Sequence, residues 1–346
     1  MQQDIRIEQL LERRDQEGVT LVDVRSPSEY DNMTIPGSVN IPLFDDKERA
    51  EIGTIYNQQG IEAAKERGLE IVSAKLPEFI REFKRLGTKT IVYCWRGGMR
   101  SRTTATLLSL MGLRVSRLEG GIRSYRRWVV QTLENYKLDA KVYVLNGHTG
   151  TGKTIILQRL QEEGYPVIDL EMMAGHRGSV FGHIGLAPHN QKRFDSLLVQ
   201  KLLELRDSPY ILLEAESKRI GRTVIPEFLF AAKQQGESIW IDIPIDVRVQ
   251  NILHDYDPHT HKEESLEAFR HIKSRIHTPV AAEIEQHLVE DRFADAVKLL
   301  LEHYYDARYD YSRDQYPRQE VLKVTDVDEA VKAVKSYIAS VAAVSR

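Results

Sequence analysis

A short strand followed at once by a glycine-rich loop and a helix is the feature that most constrains the fold of this chain. The stretch VYVLNGHTGTGKT, residues 142–154, places Gly-x-x-x-x-Gly-Lys-Thr after an apolar run and before the helical pattern IILQRLQEEG. In that context the pattern is typical of a phosphate-binding loop, whose backbone amides and lysine surround phosphate groups. It predicts an α/β domain with a parallel sheet and an anion site at the carboxyl edge of its strands.

The loop itself supplies most of the candidate phosphate-binding residues. These are Gly147, His148, Thr149, Gly150, Thr151, Gly152, Lys153 and Thr154. We expect Lys153 to neutralise phosphate charge and the Thr154 hydroxyl to reach a Mg²⁺ ion. A mobile loop at 169–182 adds His176 and Arg177 as further donors to an anion.

The acid that would organise such a metal is harder to assign. Glu214 or Glu216, at the end of YILLEAES, could serve, and Asp242 is a weaker candidate. Nucleotide hydrolases usually have an aspartate at the end of the strand that organises the metal, and YILLEAES has glutamates there instead. Whether the loop binds ATP or GTP therefore stays open. Another diphosphate would satisfy the same loop.

Two series of strands alternating with helical patterns predict two parallel-sheet domains. In the first series VTLVDVR and KTIVYCW read as buried strands. In the second the candidates are KVYVLNG, YPVIDLE, PYILLEAE, ESIWIDIP and QEVLKVT, with a mostly helical segment at 245–311. We place the boundary between residues 137 and 138, which gives domains of 1–137 and 138–346.

The only cysteine of the chain, Cys94, lies in the stretch IVYCWRGGMRS. The candidate site comprises Cys94, Arg96, Gly97, Gly98 and Arg100, in a turn between a strand and a helix. Two glycines allow the backbone amides to point inward, and the helix end and the arginines favour a thiolate. These features predict a nucleophilic cysteine beside an anion site, in place of buried filler.

Two enzyme classes fit this loop. Its Cys-x-x-Gly-x-x-Arg-Ser pattern resembles the phosphate-binding loop of cysteine-dependent phosphatases. The flanks LVDVRSPSEYDNMTIPGSVNIP and LEGGIRSYRRW resemble rhodanese sulfurtransferase domains, in which the cysteine carries sulfur or selenium. Five residues separate Cys94 from Arg100, a longer loop than single-domain rhodaneses have but one that rhodanese-fold phosphatases share. The alternatives are therefore a rhodanese-fold cysteine phosphatase or a sulfurtransferase, coupled to a nucleotide-binding domain.

Composition narrows the setting and the partners. Charged residues make up 29% of the chain, and no apolar run approaches the roughly 20 residues that span a bilayer. With a polar N-terminus, this predicts a cytoplasmic protein that does not use a membrane. The segment from Lys84 to Lys137 holds 12 Lys or Arg against Glu119 and Glu134. Such a surface around Cys94 suits a nucleic-acid backbone, and Trp95, Tyr125 or Trp128 could stack on a base.

The combination of motifs resembles one family, the tRNA 2-selenouridine synthases. The stretches LVDVRSPSEY, IPGSVNIPL, ERAEIGTIYNQQG, YCWRGGMRS, LEGGIRSYR, GHTGTGKT and DLEMMAGHRGSVFG carry the likeness. The resemblance implies a rhodanese-like domain fused to a P-loop domain of NTPase or kinase type with a helical extension.

The same resemblance implies an activity and its substrates. Sulfur at position 2 of the wobble 2-thiouridine of tRNA would be replaced by selenium, with selenophosphate as donor and Cys94 as the selenium-carrying nucleophile. An S-geranyl intermediate would be made from geranyl diphosphate, and Mg²⁺ could serve as a cofactor. The implied partners are the anticodon region of tRNA and an enzyme that produces selenophosphate.

Overall fold

The computed structural model describes residues 3–14, 18–87, 89–306, 316 and 318–344. The chain divides into two compact units, each with its own sheet. The first comprises residues 1–135 together with 195–200, and the second comprises 136–194 and 201–346.

The first unit is built on a five-stranded parallel sheet in the order β1-β5-β4-β2-β3. Its strands are β1 Gln3–Ile5, β2 Val19–Asp23, β3 Val39–Asn40, β4 Lys89–Tyr93 and β5 Arg114–Leu118. The two predicted strands, β2 and β4, are adjacent near the centre and pair in register from Val19–Lys89 to Asp23–Tyr93. Their near-continuous apolar sequence fits a strand covered on both faces.

In the part of this unit that the structure describes, six helices accompany the sheet. They are α1 Ile7–Arg14, α2 Pro27–Asn32, α3 Asp46–Gln59, α4 Ile61–Arg85, α5 Met99–Leu110 and α6 Gly121–Asn135. The start of α3 is fixed by a reciprocal cap, in which Asp45 accepts from the Glu48 amide and Glu48 accepts from the Asp45 amide, both at 2.8 Å. Helix α5 begins at Met99, so that Arg100 of the candidate cysteine site lies in its first turn.

The second unit holds another five-stranded parallel sheet, in the order β12-β11-β6-β8-β7. The strands are β6 Lys141–Asn146, β7 Val167–Ile168, β8 Tyr210–Glu214, β11 Glu237–Asp242 and β12 Arg318–Lys323. These are the five strands expected from the sequence. A small antiparallel hairpin, β9 Arg219–Ile220 with β10 Thr223–Val224, stands apart from the sheet.

Helices surround this sheet and form an extension after β11. They are α7 Lys153–Glu162, α8 Leu170–Ala174, α9 Gln191–Glu204, α10 Glu227–Gln235, α11 Ile245–Tyr256, α12 Lys262–Ile272, α13 Thr278–Val289, α14 Phe293–Leu300 and α15 Val327–Val344. A 3₁₀ turn, Lys273–Arg275, and a π-helical turn, Leu301–Tyr305, complete the set. The helical prediction for 245–311 is confirmed as far as residue 306, and residues 307–311 lie outside the described chain.

Separate apolar clusters stabilise the sheet and the helical extension of the second unit. Leu145 and Ile239 of the sheet form one cluster with Leu157 of α7 and with buried residues of α15, while Phe269 and Ile284 belong to the cluster of the extension. Among the described residues, no helix is long and apolar enough to cross a membrane.

Candidate functional site

The cysteine loop, Cys94–Arg100, connects the end of β4 to the first turn of α5. Cys94 is only 3% exposed, and its Sγ lies 3.2 Å from the Ser101 hydroxyl. The thiol therefore sits at the base of the loop, where apolar neighbours surround part of it.

The segment after β5 holds this loop in place from the other side. The Ile122 amide donates to the Cys94 carbonyl at 2.8 Å, and the Arg123 amide donates to the Trp95 carbonyl at 3.2 Å. Gly121 has a φ of +57°, and a Cβ there would lie 2.2 Å from the Cys94 carbonyl oxygen. Gly121 in LEGGIRS thus permits a close approach to the cysteine loop that any side chain would block.

The amides of residues 95–98 make no hydrogen bond to a backbone carbonyl within the described chain. Arg96 is exposed, whereas Arg100 forms an ion pair with Glu29 through both guanidinium nitrogens. Burial alone would raise the pKa of Glu29, but the hydrogen bond and charge of Arg100 outweigh it and lower that pKa. Backbone amides without a carbonyl partner beside a thiol, with the exposed Arg96 on the same loop, are suited to an oxyanion.

Several side chains that belong to no recognised sequence motif also hold the cysteine loop and the nearby sheet edge in place. Arg117 donates to the Gly97 carbonyl at 3.0 Å and forms an ion pair with Asp4. The buried pair of Asp23 and Arg25, bonded at 2.6 Å, organises the neighbouring sheet edge. Neither Arg117 nor Glu29 was among the predicted site residues, because each acts across a large sequence separation.

Of the three aromatic residues considered for base stacking, Trp95 is placed best. It is 43% exposed on the cysteine loop. Tyr125 is 1% exposed and packs against Trp128 at a ring separation of 5.6 Å. The expectation that Tyr125 could stack on a base is therefore wrong, since its ring belongs to the core.

The phosphate loop, Gly147–Gly152, runs from the end of β6 to Lys153 at the start of α7. The Lys153 ammonium donates to the Gly147 carbonyl at 3.0 Å and to the His148 carbonyl at 3.2 Å. Burial lowers the pKa of Lys153, while the charges of Glu171 and Glu216 oppose that shift. The predicted strand, loop and helix are thus all present.

Two residues of α11 fix the phosphate loop by its carbonyl groups. Arg248 donates from Nε to the Thr149 carbonyl, and Asn251 donates to the Gly150 carbonyl, both at 2.9 Å. The guanidinium of Arg248 is in turn held by both carboxylate oxygens of Asp306, at 2.6 and 3.0 Å. Neither α11 residue was predicted from the sequence.

Acidic side chains lie on the other side of Lys153. The Thr154 hydroxyl donates to Glu171 at 2.7 Å, and Glu214 accepts from the Leu170 amide at 3.0 Å. Burial and the charge of Glu216 raise the pKa of Glu171 to about 8. Burial likewise raises the pKa of Glu214 well above its ordinary value. Glu171 was not predicted, although it belongs to the DLEMMAGHRGSVFG stretch.

These groups line a cavity of ≈ 590 Å³ in the second unit. Lys153, Thr154, Glu171, Arg177 and Glu216 all contribute to its wall. Its volume lies within the range of about 300–1,000 Å³ typical of small-ligand sites.

The two donors predicted in the loop at 169–182 have different positions. Arg177 donates to the Ile184 and Asp255 carbonyls, both at 2.8 Å, and packs over the Tyr256 ring. His176 accepts from the Gly178 amide at 3.1 Å and, among the described residues, is not part of the cavity wall. The weaker metal candidate Asp242 is exposed at the end of β11.

The donor set around Thr154 fits Mg²⁺. The Thr154 hydroxyl and the Glu171 carboxylate contact each other and are hard oxygen ligands. One buried oxygen of Glu214, whose charge interacts with that of Glu171, has no hydrogen-bond partner in the described part of the chain. Within the described residues, no three His, Cys, Asp or Glu side chains form a metal cluster. Such an ion would complete its coordination with ligand phosphate and water, as Mg²⁺ commonly does.

Known families match both halves of the chain. A rhodanese-like domain matches residues 6–127, and the AAA domain of tRNA 2-selenouridine synthase matches residues 140–269. The expected fold class, a rhodanese-like domain followed by a P-loop domain of parallel-sheet type, is thereby confirmed.

Relatives named tRNA 2-selenouridine synthase match most of the chain. The protein from Bdellovibrio bacteriovorus is 37% identical, covering 73% of this chain and 68% of its own. The protein from Nitrosomonas eutropha is 34% identical over 81% of this chain and 74% of its own. That from Hahella chejuensis is 32% identical over 85% of each. At this identity and coverage, the chain belongs to the tRNA 2-selenouridine synthase family of enzymes.

Proposed function

We propose that this enzyme replaces sulfur by selenium at position 2 of the wobble 2-thiouridine of tRNA. The observation that carries the proposal is one chain with two different loops suited to anions, a thiol loop and a phosphate loop, in a family whose name states that product. The thiol loop suits chemistry on selenium or phosphorus, and the phosphate loop suits departure of a diphosphate. We take the boundary between these two functional domains to lie between residues 137 and 138.

The first reaction is assigned to the second unit. The uridine sulfur attacks C1 of geranyl diphosphate, the S–C bond forms, and the C–O bond breaks with its electrons going to diphosphate. Lys153 and the amides of residues 148–154 bind the departing anion, with Arg177 at the cavity wall. Thr154 and Glu171 would hold Mg²⁺, which when bound supplies positive charge to the diphosphate.

The second reaction is assigned to Cys94, with selenophosphate held by the loop amides, Arg96 and Arg100. The Cys94 thiolate attacks selenium and forms an S–Se bond while the Se–P bond breaks. The electron pair of the Se–P bond stays on phosphorus, which leaves as phosphite. The selenium then bonds to C2 of the S-geranyl uridine as geranyl thiolate departs. A small thiol attacks the Cys94 sulfur, and the S–Se bond breaks with its electron pair leaving on selenium, which releases 2-selenouridine. A second small thiol displaces Cys94 from the resulting mixed disulfide, so that two thiols are oxidised to one disulfide.

The length of the cysteine loop favours a second candidate for the same residue. Five residues separate Cys94 from Arg100, as in rhodanese-fold phosphatases. In this variant Cys94 attacks phosphorus, selenide leaves with the electron pair, and the phosphocysteine is hydrolysed to phosphate. The selenide displaces geranyl thiolate from C2, and no thiol oxidation is needed.

One experiment tests the function and separates the two roles of Cys94. The protein is incubated with tRNA bearing 2-thiouridine, selenophosphate, geranyl diphosphate, Mg²⁺ and a thiol. Mass spectrometry should show 2-selenouridine in the digested tRNA, and its absence would refute the proposed function. Phosphorus NMR with intact-protein mass decides the step, since phosphite with a selenium adduct indicates a carrier and phosphate with a phosphocysteine indicates the second candidate.

The proposal also covers tRNA binding, the location of the enzyme and the source of its selenophosphate. Arg96, Arg102, Arg123 and Arg127 are exposed in the basic segment and could bind the anticodon backbone beside Trp95. A cytoplasmic location follows for an enzyme that acts on tRNA. An enzyme that produces selenophosphate is the proposed upstream partner.

A further inference from the structure

An apolar groove lies in the first unit, beside the cysteine loop. It has a volume of ≈ 720 Å³ and is bounded by α3, α4 and the first turns of α5. The side chains of Ile52, Tyr56, Leu69, Val72 and Leu107 provide much of its wall. The chemistry assigned to Cys94 above uses Arg100 at one end of this groove but none of its apolar wall.

The groove is formed by apolar residues that the fold leaves uncovered. Among the described residues, helix α3 buries no side chain, although Ile52 and Tyr56 lie on it. Tyr56 is 55% exposed and Leu69 on α4 is 69% exposed. An exposed apolar concavity of this kind is typical of a ligand site. Helix α3 also carries the ERAEIGTIYNQQG stretch that contributes to the family resemblance.

One wall of the groove is continuous with the cysteine loop. Arg100, the last residue of that loop, lines the groove together with Met99. Arg49 and Arg100 both face Glu29, with the Arg49 nitrogen 3.9 Å from the carboxylate. The site thus has a charged end at the loop and an apolar end between the helices. A ligand with a reacting polar head and an apolar tail matches both ends.

We propose that this groove binds the geranyl chain of S-geranyl-2-thiouridine while C2 lies at the cysteine loop. This inference rests on the proposed function and adds where the leaving group goes. As selenium bonds to C2, the C2–S bond breaks and its electron pair leaves on geranyl thiolate, which takes a proton from water. Burial of the apolar chain favours binding. The groove therefore selects the geranylated uridine over 2-thiouridine.

A matched pair of substitutions on α5 tests the proposal. Leu107→Trp fills the groove, whereas Leu110→Trp adds the same ring at a position that is 79% exposed and outside it. The probe is an anticodon stem-loop oligonucleotide with S-geranyl-2-thiouridine, compared with the same oligonucleotide bearing 2-thiouridine. Dissociation constants and single-turnover selenium transfer from selenophosphate are measured for each protein.

We expect the parent and Leu110→Trp to bind the geranylated oligonucleotide on the order of tenfold more tightly than the 2-thiouridine form. Leu107→Trp should lose that preference and transfer selenium about tenfold more slowly. Its geranylation of 2-thiouridine from geranyl diphosphate should stay at the parental rate, because that reaction belongs to the other unit. If Leu107→Trp does not fold, Tyr56→Asp on the exposed rim of α3 replaces it.

Three outcomes would overturn the proposal. Leu107→Trp or Tyr56→Asp could retain the parental preference and rate. The parent could bind both oligonucleotides equally. Gel filtration could show a parental dimer that Leu107→Trp converts to monomers, which would make a second copy of the chain the occupant. A parent that makes no 2-selenouridine at all would instead refute the proposed function.

Discussion

At the scale of single residues, Glu171 connects the phosphate loop to a proton equilibrium. The Glu171 carboxylate accepts a hydrogen bond from the Thr154 hydroxyl, and its charge interacts with that of the Lys153 ammonium. Burial, together with the charge of Glu216, raises its pKa to about 8. The carboxyl therefore binds a proton more tightly in the folded chain than in the unfolded chain.

Glu171→Gln should change how stability depends on pH. The proton held by Glu171 stabilises the fold fully below about pH 4.5, and that contribution is lost as the pH rises through about 8. Between about pH 5 and pH 9 the parental Tm should fall by several degrees more than that of Glu171→Gln. Calorimetry with exposed Glu267→Gln as control measures this difference. Parallel Tm curves for parent and Glu171→Gln would count against the assignment.

Gly121 carries the closest backbone contact of the cysteine loop. Gly121→Ala should lower the free energy of unfolding by more than about 3 kcal/mol. The new Cβ would collide with the Cys94 carbonyl oxygen, and alanine is also unfavourable at the positive φ of this position. Gly112→Ala has a similar positive φ but open space around the Cβ, so about 1–2 kcal/mol is expected. Denaturant unfolding of both variants checks the difference. Equal losses would show that the contact with Cys94 relaxes freely.

At the scale of elements, α11 acts as the support of the phosphate loop. Arg248→Met removes the donor to the Thr149 carbonyl and leaves Asp306 without its partner. We expect affinity for inorganic diphosphate to fall about tenfold. Asp306→Asn keeps the arginine and should lose much less. Titration calorimetry with Mg²⁺ present measures both, and an unchanged affinity in Arg248→Met would contradict the support role.

The elements differ in how well the sequence predicts them. Strands β2, β4 and the five of the second sheet have apolar runs that a covered parallel sheet requires. Strand β5, Arg114–Leu118, has two arginines among its five residues, and β3 has only two residues. Such strands exist because neighbouring strands pair with them, which a local pattern does not encode.

The candidate sites divide in a similar way. The Cys94 loop and the phosphate loop follow from contiguous motifs whose strand and helix context is visible in the sequence. Glu29, Arg117 and Arg248 act across separations of 71, 20 and 99 residues, which only the folded chain brings together. Tyr125 shows the reverse failure, since its residue type suits base stacking but its position on α6 is buried.

At the scale of the whole molecule, the basic segment should control tRNA affinity through phosphate contacts. Arg123 is exposed next to the cysteine loop, and Arg123→Gln should reduce the slope of log affinity against log salt by about 1. Arg81→Gln on α4 is exposed but lies outside the basic segment, and should leave the slope unchanged. Filter binding of tRNA over a range of salt concentrations compares the two. Equal slopes in both variants would contradict the assignment of the tRNA-binding surface to the basic segment.

We assign geranyl transfer to the phosphate loop and selenium transfer to Cys94. Nucleoside mass spectrometry of tRNA treated with both donors tests this assignment most directly. Cys94→Ser should accumulate S-geranyl-2-thiouridine without 2-selenouridine, whereas Lys153→Ala should impair geranylation more than selenium loading of Cys94. Formation of 2-selenouridine by Cys94→Ser at the parental rate would contradict the central claim.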